Sequence, residues 1–177
     1  MNRNARVYLT GFMGSGKSTI GPILANSIGW SFVDVDSAVE ESAGRSVQEI
    51  FEGEGEAAFR MLERKVIDAT EQMTRTVIAL GGGTIASEQN FRQVARAGIL
   101  VYLQVDRDDL TKRLRNKANR PLLATSVRDV SVHETLDALF KVREPFYAMA
   151  DIVVATGKEP VGRTVDELVR KLTPLIL

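Results

Sequence analysis

The chain has 177 residues, a length suited to one domain that buries about 70% of the surface its unfolded form exposes. Lys+Arg and Asp+Glu balance at 23 each, so no net positive charge draws it to nucleic acid or to an anionic membrane. The lack of cysteine excludes disulfides, thiol nucleophiles and Cys-ligated zinc, and the single histidine, His133, leaves Ser-His triads and histidine metal sites little to build on.

The first residues, "MNRNARVYLTG", pass from a short polar lead directly into an apolar run. They lack the apolar core of a signal peptide, and no stretch reaches the ~20 apolar residues that cross a bilayer. The expectation is a cytoplasmic, monomeric protein without nucleic-acid or membrane partners.

In chain order, Arg6–Thr10 reads as a strand, followed by a glycine-rich turn and a helix over Lys17–Ile28. A second strand, Ser31–Val35, leads into a helix over Asp36–Ala43. Ser46 and Glu49 have capping-box spacing and open a helix at Val47–Glu52, with a longer one at Glu56–Met73. Strand Thr76–Leu80 ends in Gly81, Gly82 and Gly83, and a helix over Glu88–Ala97 precedes strand Ile99–Val105. Helices at Arg107–Arg115, Val132–Met149 and Val161–Leu172 and a strand at Asp151–Val154 complete the pattern.

Strand-length apolar runs alternating with helical periodicity predict a parallel sheet with helical crossovers. The fold class is therefore α/β: a three-layer α/β/α domain around five parallel strands. Residues 36–73 insert enough helix between two strands for a small subdomain. The polar and basic stretch at 116–130 lacks periodicity and reads as a mobile lid.

The turn after the first strand, "GFMGSGKST" at 11–19, fits the P-loop pattern Gly-x-x-x-x-Gly-Lys-Ser. Its glycines let successive N–H groups converge on phosphate oxygens, and the next helix offers its N-terminus to the same anion. Gly14, Ser15, Gly16, Lys17, Ser18 and Thr19 thus predict a site for a nucleoside triphosphate. Lys17 would reach the β and γ phosphates, and the Ser18 hydroxyl would join the shell of Mg²⁺.

Asp34 and Asp36 stand two apart where the second strand gives way to a helix, at the sheet edge that carries the P-loop. Spacing predicts that both leave one strand face, Asp34 toward a metal and Asp36 toward a hydroxyl, with Asp36 alternatively a helix N-cap. For the arginines, spacing leaves plain readings open. Arg60 could pair at i,i+4 with Glu56, Arg143 could complement a helix dipole, and Arg120 could be a solvated charge.

Further pieces follow in order: DVD at 34–36, GRSVQEIFEGEGEAAFR at 44–60, LGGG at 80–83, NRPLL at 119–123 and VREPFY at 142–147. With the P-loop, they make the chain resemble the shikimate kinases over essentially its whole length. The resemblance implies a P-loop kinase fold, ATP and shikimate as substrates, Mg²⁺ as cofactor, and phosphorylation of the shikimate 3-hydroxyl in aromatic amino-acid biosynthesis. It implies that Arg60 and Arg143 clamp the substrate carboxylate and that Asp36 orients the attacking hydroxyl. Gly82 and Gly83 would offer main-chain N–H groups, and a side chain at Gly82 would block the site. Arg120 would close over the transferring phosphoryl, Arg113 and Lys158 would lie on the adenine side, and Glu63 would hold an arginine in place. The alternatives are another small-metabolite kinase, for gluconate or a nucleoside monophosphate, and a nucleotide-binding module without turnover.

Overall fold

The computed structural model describes residues 5–110 and 132–176. The expectations for Arg113, Arg120 and the 116–130 lid lie outside these residues, as does the side chain of His133. Five strands form one parallel sheet: β1 (Arg6–Thr10), β2 (Ser31–Asp34), β3 (Thr76–Ala79), β4 (Ile99–Val105) and β5 (Ile152–Thr156), ordered β2-β3-β1-β4-β5. The helices are α1 (Lys17–Ser27), α2 (Val35–Ala43), α3 (Val47–Thr70), α4 (Glu88–Ala97), α5 (Val132–Tyr147) and α6 (Val161–Ile176).

Side chains alternate across a strand, so a sheet covered on both faces needs nearly continuous apolar runs. The central strands have them. Val7 and Leu9, with Val77, Val101, Leu103 and Val154, pack on α1 and α6. Tyr8, Ile78, Leu100 and Tyr102 face the other way, onto Ile67 of α3, Val94 of α4, and Phe140 and Tyr147 of α5. Each fully buried aliphatic or aromatic side chain of this kind contributes about 1.5–3 kcal/mol. The α2–α3 insertion has a small core of its own in Val39, Ile50 and Phe59.

Several boundaries differ from the sequence reading by a few residues, and one of them matters for function. β2 stops at Asp34, whose carboxylate accepts from the N–H groups of Asp36 (3.1 Å) and Ser37 (3.4 Å). Asp34 is therefore the N-cap of α2, while Asp36 sits within its first turn, so the two do not share a strand face. The expected gap between two helices is instead a kink at Gly55 (φ 79°) within the span of α3. β5 runs on to Thr156, whose hydroxyl donates to Ser15 O (3.1 Å) and ties that strand end to the P-loop. The Ser46–Glu49 capping box is formed as expected.

Candidate active site

Parallel strands present their carboxyl ends along one edge, where ligands bind in open α/β sheets. The loop leaving central strand β1 lies on that edge. Gly14 (φ 83°) and Gly16 (φ 96°) hold left-handed conformations, and Gly16 occupies the N-cap of α1 without a side-chain cap. The first N–H groups of α1 therefore lack the usual side-chain acceptor, as suits a helix start that receives phosphate. Lys17 lies across the loop, its Nζ donating to Gly11 O (2.7 Å) and Phe12 O (3.2 Å).

In the first turn of α1, the Ser18 hydroxyl donates to Asp34 Oδ2 at 2.7 Å. Capping α2 fixes the Asp34 carboxylate, and its second oxygen is turned to this hydroxyl. A carboxylate and a hydroxyl beside a phosphate cradle are the hard oxygen donors that Mg²⁺ takes alongside nucleotide oxygens. The residues present thus fit the ion.

A crevice of about 760 Å³ runs from the P-loop past Asp34 and Asp36 to Thr156, Gly157, Glu159 and Pro160. Glu159 and Pro160 border it, whereas Lys158 between Gly157 and Glu159 does not. Its side chain is 79% exposed, with Nζ 3.8 Å from Asp106 Oδ2, and it borders a neighbouring hollow instead.

A second hollow of about 400 Å³ opens between the α2–α3 insertion and the glycine triplet. Arg60 lines it from α3. Its Nη1 donates to Glu63 Oε2 (2.9 Å) and its Nη2 to Glu56 Oε1 (3.0 Å), so the surface pair read from spacing exists within the hollow's wall. Burial works against the Arg60 charge, yet Glu63 and then Glu56 carry its pKa above the usual guanidinium range. Glu63 itself is fully buried; its other oxygen accepts from Thr84 Oγ1 at 2.5 Å.

Arg143 comes from α5 and borders the same wall through Gly82 and Gly83. It is 4% exposed and its Nη1 has no hydrogen-bond partner among the described residues. Burial pulls its pKa down, partly opposed by the Tyr147 phenol. A buried guanidinium with an open donor is costly unless an anion completes it; Arg143 lies behind Gly82 and Gly83 and is not itself among the residues lining the hollow.

The glycine triplet explains its own composition. A Cβ on Gly81 would meet Asp36 Oδ1 at 2.8 Å and Glu63 Oε1 at 2.9 Å, and one on Gly83 would meet Arg60 Nη2 at 2.8 Å. At Gly82 the nearest atom is Met13 N at 3.5 Å, with Arg143 Nη1 at 3.7 Å, so the tight positions flank the one expected from sequence. Gly83→Ala is therefore expected to weaken acceptor affinity about tenfold by displacing Arg60, whereas Gly81→Ala displaces Asp36 and lowers kcat. Steady-state kinetics with each substrate varied separates the two, and equal effects on both parameters in both variants would contradict this geometry.

The two hollows adjoin, with Met13, Asp36 and Gly82 lining both. Sequence reasoning did not find Val47, Phe51 and Phe59, which line the acceptor hollow, or Thr84 behind Glu63. The first three look like ordinary helix-core positions in sequence, and Thr84 carried a signal only in following the glycines.

A phosphate-binding loop beside a second hollow that carries Arg60, with Arg143 behind its glycines, is the arrangement of a P-loop kinase of small molecules. A sequence model described as shikimate kinase matches residues 13–173. A protein named shikimate kinase from Chlorobaculum tepidum is 42% identical over 97% of this chain and 92% of its own. The solved shikimate kinase from Acinetobacter baumannii in complex with shikimate superposes with TM-score 0.87 at 31% identity, covering 96% of this chain and 93% of that one. The Aquifex aeolicus shikimate kinase structure gives 0.82 at 36% identity, covering 95% and 96%. The chain belongs to the shikimate kinase family. It is a phosphotransferase, and among the described residues no helix is long and apolar enough to cross a membrane.

Proposed function

We propose that this chain transfers the γ-phosphoryl group of ATP to the 3-hydroxyl of shikimate, giving shikimate 3-phosphate and ADP, as a cytoplasmic monomer of the aromatic amino-acid pathway. The observation that supports this reading is that Met13, Asp36 and Gly82 line both hollows, so that a donor in one and an acceptor in the other would lie against the same residues. Mg²⁺, held by Ser18 and Asp34, would neutralise charge on the β and γ phosphates.

Phosphoryl transfer has a loose transition state, so positioning and charge neutralisation matter more than strong base chemistry. The cradle of Gly14, Ser15, Gly16, Ser18 and Thr19 holds the phosphates, and Lys17 exchanges its carbonyl partners for their oxygens. Arg60 and Arg143 grip the acceptor carboxylate, with Gly82 and Gly83 supplying main-chain contacts. Asp36, bordering both hollows, orients the attacking hydroxyl and takes its proton late. From the sequence resemblance, Arg120 meets the transferring phosphoryl and Arg113 covers the adenine; Lys158 is retained as an adenine-side contact on the same ground alone.

A coupled ADP-release assay tests the reading with shikimate beside gluconate, quinate and nucleoside monophosphates. Shikimate-dependent turnover well above every other acceptor is expected. Preference for gluconate or a nucleotide would reassign the acceptor, and binding of ATP and shikimate without ADP would make the chain a binding module.

A further inference from the structure

Tyr147 has no part in the transfer just described, yet it touches the acceptor wall twice. Its hydroxyl donates to Gly82 O at 3.2 Å, and its phenol interacts with the Arg143 guanidinium. The ring is 1% exposed and stacks on Tyr102, with centroids 4.6 Å apart and planes 11° from parallel, so it has little freedom to turn. Gly82 belongs to the floor shared by the two hollows.

A phenol has one proton and acceptor lone pairs on the same oxygen. With the proton committed to the Gly82 carbonyl, the lone pairs remain for a cation. Arg143 is that cation, and the side of its fork left without a partner is Nη1, near the position a Gly82 Cβ would take.

We propose that Tyr147 is a positioning residue of the acceptor site, one that orders Arg143 and the Gly82 peptide together before the acceptor's carboxylate arrives. Its hydroxyl fixes the Gly82 carbonyl on the side away from the acceptor and steadies the guanidinium with Nη1 left for the incoming anion. Burial raises the phenol pKa to about 12, against the smaller opposing effect of Arg143, so the proton on which this arrangement depends is kept throughout the neutral range. The inference rests on shikimate being the acceptor and Arg143 its anchor.

Tyr147→Phe keeps the ring and its stacking and removes only the hydroxyl. Losing one hydrogen bond that preorganises a charged anchor should raise the shikimate Kd and KM about five- to tenfold, while the KM for ATP and kcat move less than twofold. In an Arg143→Met background the same substitution should have almost no further effect on shikimate Kd, read by calorimetric titration, because its influence passes through the guanidinium. An unmoved shikimate Kd in Tyr147→Phe overturns the proposal. So does an equal loss in both backgrounds, or a parallel change in both substrates' KM values with a lowered Tm, which would mark Tyr147 as packing alone. Wild-type protein in the same assay keeps the two readings apart: no shikimate turnover sinks the acceptor assignment and this inference with it, whereas wild-type turnover with an unmoved variant sinks only the role of Tyr147.

Discussion

Asp36→Asn is expected to lower turnover by about 10²–10⁴-fold while the affinity for a non-hydrolysable ATP analogue stays within about threefold. The substitution is nearly isosteric, and the α2 N-cap belongs to Asp34, so the helix start is untouched. What is lost is a negative acceptor oxygen bordering both hollows, the one carboxylate among the described residues that lines both and the group proposed to hold the attacking hydroxyl and later carry its proton. An amide can still accept through one oxygen, but it takes up no proton at neutral pH. Single-turnover measurement with both substrates saturating reads the chemical step directly. Turnover within threefold of wild type would remove Asp36 from the reaction and leave it a wall residue.

Arg143→Met should have two effects of opposite sign. Acceptor affinity should fall by about 30- to 5,000-fold, since truncating one partner of a desolvated charge pair costs about 2–5 kcal/mol. The ligand-free protein should become more stable, because the native side chain is 4% exposed with Nη1 unpartnered, and an unsatisfied buried group costs about 1–3 kcal/mol or more when charged. Opposing this gain is the contact of the guanidinium with the Phe12 ring, 5.1 Å from its centroid, worth about 0.5–2 kcal/mol. A net gain on the order of 1 kcal/mol corresponds to a rise in Tm of about 2–4 °C for a domain of this size. Thermal melts without ligand and titrations with shikimate check both halves. A lower Tm with intact acceptor affinity would show that Arg143 supports the fold and does not bind substrate.

Much of the architecture was legible because periodicity is a local signal. All five strands were placed, β1 and β4 with their observed bounds, since runs such as Ile99–Val105 are long and apolar on both faces. The P-loop was legible because its glycines and Lys17 are adjacent in sequence. Asp34 and Asp36 were found as a pair but given the wrong geometry, because a one-residue error at a strand end turns a strand neighbour into a helix cap. Arg143 was found through resemblance alone, because sequence spacing cannot show that α5 brings it against Phe12 and the glycines with one nitrogen unmatched. Lys158 shows what spacing cannot give: it lies between Gly157 and Glu159, which do line the crevice, while its exposed side chain pairs with Asp106. The lid and its arginines fall outside the described residues.

Phe12 lies within the loop that wraps the phosphates, and its ring stacks on Phe140 of α5 at 4.5 Å while also carrying Arg143. Donor grip and acceptor anchor are thus built from shared atoms, so neither can drift in evolution without disturbing the other. The opposite bank of the acceptor hollow has a small core of its own, where Phe51 and Phe59 pack with Ile50 and the Phe59 ring carries Arg60 at 5.3 Å. A lineage in search of a new acid has its room for change there, on the α2–α3 bank around Arg60, with the Arg143 bank held constant by its debt to the P-loop.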